Sequence, residues 1–220
     1  MSEATPVILL NGASSSGKTT LARALQRAMD APFLYFSSDQ LVAAGVLPAV
    51  DRTSTTGPWA WRSVRPRFFD GFHRATAALA AAGNALIVEH VIEFRSWYDD
   101  LVELLVDCDV FYVGVECPLP ELERRERERG DRFIGEGRSH LDDGVHTWGP
   151  YDIIIDTGVS TAEENARLVQ RAFHERKPPS AFQSALALRR ASGADGQPWE
   201  KAAQHHLAAD ETLASLKSGS

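Results

Sequence analysis

Short aliphatic and β-branched runs recur at Val7 to Leu10, Phe33 to Phe36, Ala85 to Val88, Val110 to Val115 and Asp152 to Ile155. They are continuous rather than alternating, as expected of strands in a parallel sheet covered on both faces. Between them, apolar residues return at helical spacing. Leu21, Ala22, Leu25, Ala28 and Met29 mark a buried helix that Pro32 stops, and Arg67 to Ala82 a second that Gly83-Asn84 ends. Ser96 to Val106, Leu119 to Arg129 and Thr161 to Phe173 complete the series. The alternation predicts an α/β fold, a five-stranded parallel sheet with helices on both faces.

Two stretches break the pattern. Residues 46–66 hold three prolines and a Thr-Ser-Thr-Thr-Gly segment and read as an insertion loop over the sheet edge. Pro178-Pro179 marks a boundary, dividing a domain over 1–177 from a C-terminal extension over 178–220. In that extension Trp199, Ala203 and Leu207 form one apolar stripe. The extension reads as helical or disordered, with a loosely ordered tail preferred over docked helices.

Composition narrows the class. With 220 residues, 44% of them hydrophobic, the chain supports one domain with a substantial core. A net charge of -7 offers no general attraction to nucleic acid or anionic membrane, so any anion must meet a local basic site. Cys108 and Cys117 have no metal-ligand spacing, no export signal precedes residue 7, and no apolar run is long enough to span a bilayer. These features point to a reduced cytoplasmic setting, with no nucleic-acid or membrane partner. They leave oligomeric state open.

Gly12-Ala13-Ser14-Ser15-Ser16-Gly17-Lys18-Thr19, followed by Thr20, matches glycine, four residues, then Gly-Lys-Thr, between a strand and a helix. The glycines let successive N–H groups face phosphates, and the helix N-terminus adds partial positive charge. Lys18 is expected on the β- and γ-phosphates and Thr19 on Mg²⁺, with ATP the expected nucleotide and GTP left open.

Asp39 lies just beyond the second strand, at the carboxyl edge where such sheets bind ligands. It reads as the base that takes a proton from an acceptor hydroxyl, or as a cap on a helix beginning at Gln40. Glu89-His90 ends the third strand at the same edge. Glu89 suits magnesium or acceptor binding, and His90 either a substrate contact or a satisfied polar residue in the pocket wall.

In the segment Glu121 to Arg132, Arg124, Arg125 and Arg127 read as surface partners of nearby glutamates. Arg129 and Arg132 instead flank Gly130, and Gly135 and Gly137 follow, so the stretch reads as a mobile lid. Both arginines are candidates for neutralising charge on the transferring phosphate, with Arg138 ranked behind them. Trp59, Trp61, Phe68 and Phe69 are candidates for an acceptor wall or for plain core.

With the phosphate loop, Phe36 to Asp39, Leu86 to Glu89, Arg129-Gly-Asp-Arg132 and Tyr151 to Thr157 in this order, the chain resembles the chloramphenicol phosphotransferase family over residues 7 to about 175. The resemblance implies a P-loop kinase fold and ATP-dependent phosphorylation of the primary hydroxyl of chloramphenicol, with Asp39 as base and Lys18 on the phosphates. At His90 this chain departs from the family's second acidic residue. The expected activity is phosphorylation of a small hydroxylated molecule, an antibiotic or another metabolite such as a nucleoside or sugar. A nucleotide-binding regulatory protein is the reading from another class, and it would need no base at Asp39.

Overall fold

In the computed structural model, residues 4–51, 53–129 and 134–191 are described below. Five strands, β1 (Pro6–Asn11), β2 (Leu34–Ser37), β3 (Leu86–His90), β4 (Asp109–Glu116) and β5 (Ile153–Asp156), form one sheet in the order β2-β3-β1-β4-β5. All neighbours are parallel. Registers Ser37↔Glu89, Asn11↔His90 and Glu116↔Asp156 align the strand ends, so residues that follow each strand emerge along one edge.

The continuous apolar strands serve two cores, because successive side chains point to opposite faces. Val7, Leu9, Leu86, Val88 and Tyr112 meet α3 (Trp61–Ala81), α4 (Arg95–Leu104) and α8 (Ala181–Ala191) through Phe72, Trp97, Leu101 and Phe182. Ile8, Leu10, Ile87, Phe111 and Val113 meet α1 (Lys18–Ala28) and α7 (Ala162–Glu175) through Leu21, Leu25, Val169 and Phe173. Three shorter or more polar helices, α2 (Ser38–Ala43), α5 (Leu119–Arg129) and α6 (Glu136–Asp142), stand at the carboxyl edge.

Two expectations change. The loop expected over 46–66 gives way at Trp61, where α3 begins with Pro66 inside it. Proline there removes one helical hydrogen bond near the helix start, which the packed aromatic face of α3 offsets. Asp51 closes the shortened loop, its carboxylate accepting from Thr53 and Ser54 while its backbone pairs with Trp59 and Trp61. Within the stretch read as a lid after Gly130 stands α6. In the extension, Phe182 packs edge-on against Tyr98 and Tyr112, and Asp152 accepts from Ala181 N at 2.8 Å. A docked helix therefore replaces the expected loose tail over 181–191, while Trp199, Ala203 and Leu207 lie outside the described residues.

Among the described residues no helix is long and apolar enough to cross a membrane.

Candidate active site

The turn from β1 to α1 is shaped by two glycines. A Cβ on Gly12 would stand 2.3 Å from Val115 O, so only glycine lets the chain pass β4 there. Gly17, at φ 90°, is the N-cap of α1. Between them Ser15 also adopts a left-handed backbone, at φ 62°. Lys18 folds across the loop, its Nζ donating to Ala13 O at 2.7 Å. The hydroxyls of Ser15 and Ser16 are buried with no hydrogen-bond partner. Unsatisfied donors in a glycine-framed nest fit a phosphate chain, whose oxygens would accept from them.

Thr19 Oγ1 donates to Glu89 Oε1 at 3.0 Å, and Tyr35 donates to the other carboxylate oxygen of Glu89. Burial and the Glu89 charge push the Tyr35 hydroxyl up to about 12, which keeps it a donor. Thr19 and Glu89 thus form a hard-oxygen pair beside the loop, which fits Mg²⁺ whose remaining ligands are phosphate and water. Among the described residues no group of three acidic, His or Cys side chains could hold a metal without such help.

Ser37, not Asp39, caps α2. Its hydroxyl accepts from Gln40 N at 3.2 Å, while the Gln40 side chain accepts from Ser37 N at 3.0 Å. The helix begins two residues earlier than expected, which places Asp39 in its first turn and in the wall of a cleft of about 700 Å³.

That cleft runs the length of the carboxyl edge. It brings together Ser14, Ser15, Gly17 to Thr20, Asp39, Glu89, His90 and Arg129. Gly12, Ala13 and Ser16 lie behind them as the loop's buried frame. Arg132 is outside the described residues. Arg138 pairs with Glu123 on the surface, away from the cleft.

Arg125, expected only as a helix-surface partner, does more. It pairs with Glu121 at 2.8 Å but also donates to Thr157 Oγ1 and O at 3.0 and 2.8 Å. Thr157 in turn donates to Ser16 O at 2.7 Å, so Arg125 braces the loop beside Gly17. The i,i+4 spacing with Glu121 concealed this second role.

At the other end stand Val42, Trp61, Arg65, Phe68, Phe69 and Glu93, whereas Trp59 is 62% exposed and outside the wall. Arg65 pairs with Glu93 at 2.6 Å, its guanidinium 5.0 Å from Phe94 and 5.2 Å from Trp97. His90 packs against both Phe69 and Trp97, which also touch each other, its Nε2 2.9 Å from His73 Nε2 and its Nδ1 without a partner. Burial, aided by His73, holds its pKa well below the ordinary histidine value, so the ring is neutral.

Helix α6 closes over the loop. The buried Glu126 of α5 accepts from Gly135 N at 2.9 Å and Gly137 N at 2.6 Å, fastening the start of α6. A Cβ on Gly137 would approach Leu122 Cδ2 to 2.1 Å and Ser14 O to 2.9 Å, so glycine permits the close approach. Ser14 N donates to His140 Nδ1 at 3.1 Å and Ser14 Oγ to Glu136 Oε2 at 2.9 Å. Neither Glu136 nor His140 stood out in the sequence, because they belong to no motif.

Relatives place this arrangement. The family described as "Chloramphenicol phosphotransferase-like protein" matches residues 5–174. Proteins from two strains of Mycobacterium tuberculosis, provisionally named O-phosphotransferases, are 32% identical over 193 residues, covering 80% of this chain and 85% of theirs. Among solved structures, the APS kinase of Mycobacterium tuberculosis in complex with AMPPNP and APS is 17% identical with a TM-score of 0.57, covering 79% of this chain and 100% of that one. The Deinococcus radiodurans tunicamycin resistance protein is 20% identical with a TM-score of 0.56, covering 80% and 99%. Shikimate kinase from Acinetobacter baumannii, in complex with shikimate, is 17% identical with a TM-score of 0.56, covering 80% and 97%. At these identities the structures share the P-loop kinase fold, and it is the match across residues 5–174 that carries the assignment. The chain belongs to the chloramphenicol phosphotransferase-like family and is a phosphotransferase of the kinase type.

Proposed function

We propose that this protein transfers the γ-phosphoryl group of ATP to a hydroxyl of a small molecule, with chloramphenicol or another antibiotic as the leading acceptor and resistance by inactivation as the outcome. The observation that carries this reading is Asp39. Ser37 does the capping, so the carboxylate in the first turn of α2 stands in the cleft wall together with the phosphate loop.

In this reading the acceptor oxygen attacks the γ-phosphorus as its proton passes to Asp39, and the bond to the β–γ bridging oxygen breaks. Lys18 and the loop N–H groups hold the phosphates, and Arg129 and Arg132 cover the transferring group. Thr19 and Glu89 would hold Mg²⁺, which supplies charge neutralisation between the phosphates. Trp61, Phe68 and Phe69 present an apolar wall that suits an aromatic acceptor, with Glu89 and His90 beside it. The Arg65–Glu93 pair in the same wall supports a second acceptor class, hydroxyl-rich metabolites such as a nucleoside or sugar. Residues 1–177 would carry the transfer in a cytoplasmic enzyme, with 178–220 as an extension.

The test is a screen with ATP or GTP and Mg²⁺ over chloramphenicol, other hydroxylated antibiotics, nucleosides and sugars. Mass spectrometry should find an acceptor that gains one phosphate. Turnover that survives Lys18→Ala at near-normal rate would remove the phosphate loop from the reaction.

A further inference from the structure

The loop after β3 and helix α6 meet over the phosphate loop, where their polar groups stand in a line. Ser14 N–H donates to His140 Nδ1 at 3.1 Å, which requires that nitrogen to be bare and puts the ring hydrogen of the neutral imidazole on Nε2. Nε2 in turn lies 3.9 Å from Glu93 Oε2, and Arg65 Nη2 holds that same oxygen at 2.6 Å. Burial keeps the His140 ring neutral against the pull of Glu93 and Glu136. The line therefore starts in the acceptor wall and ends on the backbone of the donor loop.

We propose that His140 is a positioning residue that couples the acceptor wall to the phosphate loop, transmitting the setting of Arg65 and Glu93 to the backbone of Ser14. The inference rests on the reading of the cleft as a nucleotide site. Ser14 is 6% exposed, so its amide has little access to water and depends on the imidazole as acceptor. Loss of Nδ1 leaves that amide unpaired and releases the loop to another conformation. An acceptor that engages Arg65 or Glu93 shifts the Glu93 carboxylate, and through it the imidazole. Linkage makes the effect reciprocal: the acceptor alters nucleotide affinity by the factor with which the nucleotide alters acceptor affinity.

The test compares His140→Asn, whose Oδ1 takes the place of Nδ1, with His140→Gln and His140→Leu, which offer no acceptor there. Each is titrated with MgATP, and thermal unfolding is followed in parallel. His140→Leu and His140→Gln should bind MgATP about tenfold more weakly, the factor expected for one buried unpaired amide, with His140→Asn within about twofold of the parent. Glu93→Ala should also weaken MgATP, and about half or more of that loss should vanish in the His140→Leu background. Equal affinity across folded variants, or an Asn variant no better than Gln, overturns the coupling. Additive effects of Glu93→Ala and His140→Leu overturn the link to the acceptor wall. Failure of the parent protein itself to bind MgATP overturns the nucleotide reading, and the inference with it.

Discussion

The hydroxyl of Tyr151 lies 2.8 Å from Nδ1 of His146 and accepts from Asn11 Nδ2 at the same distance. Asn11 is fully buried where β1 enters the phosphate loop. It also donates to Val145 O and accepts from Ile92 N, both at 2.8 Å. One amide thus fastens the segments after β3, before β5 and under the donor loop.

This junction predicts an acid-sensitive fold. Burial pushes the Tyr151 hydroxyl up to about 12, so it keeps its proton, and burial lowers the pKa of His146 beside it. His90 and His140 shift in the same direction. Below the ordinary histidine value of 6.5 the unfolded chain binds protons that the folded chain refuses. Stability should be full above pH 6.5 and fall as the pH drops toward the lowered folded values. Urea unfolding at about pH 7.5 and about pH 5.5 checks this, with a lower midpoint expected in acid and an unchanged one counting against it.

Asp39 and Ser37 should separate chemistry from structure. Asp39→Asn is expected to cut phosphoryl transfer by about 10²-fold or more while leaving MgATP affinity within about twofold. Ser37→Ala removes the cap and should cost about 1 kcal/mol of stability. Steady-state kinetics with denaturation curves tell the two apart, and an unimpaired Asp39→Asn enzyme would exclude Asp39 as the base.

Gly137→Ala tests how tightly α6 must sit on the loop. Its Cβ would meet Leu122 and the backbone oxygen of Ser14, and backbone cannot swing aside as a flexible side chain can. The helix should lift, with a stability loss of about 1–3 kcal/mol and a lower transfer rate. A variant that matches the parent in melting temperature and rate would show that the contact relaxes without consequence.

Phe182 tests whether the extension is part of the core. It is 4% exposed and packs on both Tyr98 and Tyr112. Phe182→Ala should cost about 3–5 kcal/mol, and truncation after Lys177 should destabilise at least as much. Chemical denaturation measures both, and a truncated chain as stable as the parent would make α8 an ornament on the sheet.

Much of the fold and half of the site are legible along the chain. The five apolar runs are strands within a residue or two at each end, because strands buried on both faces must be apolar throughout. Gly12 to Thr19 stands out because phosphate binding by backbone needs glycines at fixed spacing, and Glu89 because it ends a strand on the ligand edge. Helix starts were less legible: Pro66 masked the first turn of α3, and Asp39 read as a possible cap of a helix at Gln40 where Ser37 caps one that begins at Ser38.

What the sequence by itself determined is local: strand and helix periodicity, the phosphate loop, and the carboxylates that follow particular strands. Only the tertiary structure decided that Arg125 braces the phosphate loop at Ser16 through Thr157, that His90 pairs with His73, and that His140 reaches Ser14 across 126 positions of chain. Those partners are set by strand order and by close approaches such as Gly137 on the loop. Sequence spacing records which residues share a helix face or a strand edge. It does not record which elements the packing of two cores brings together.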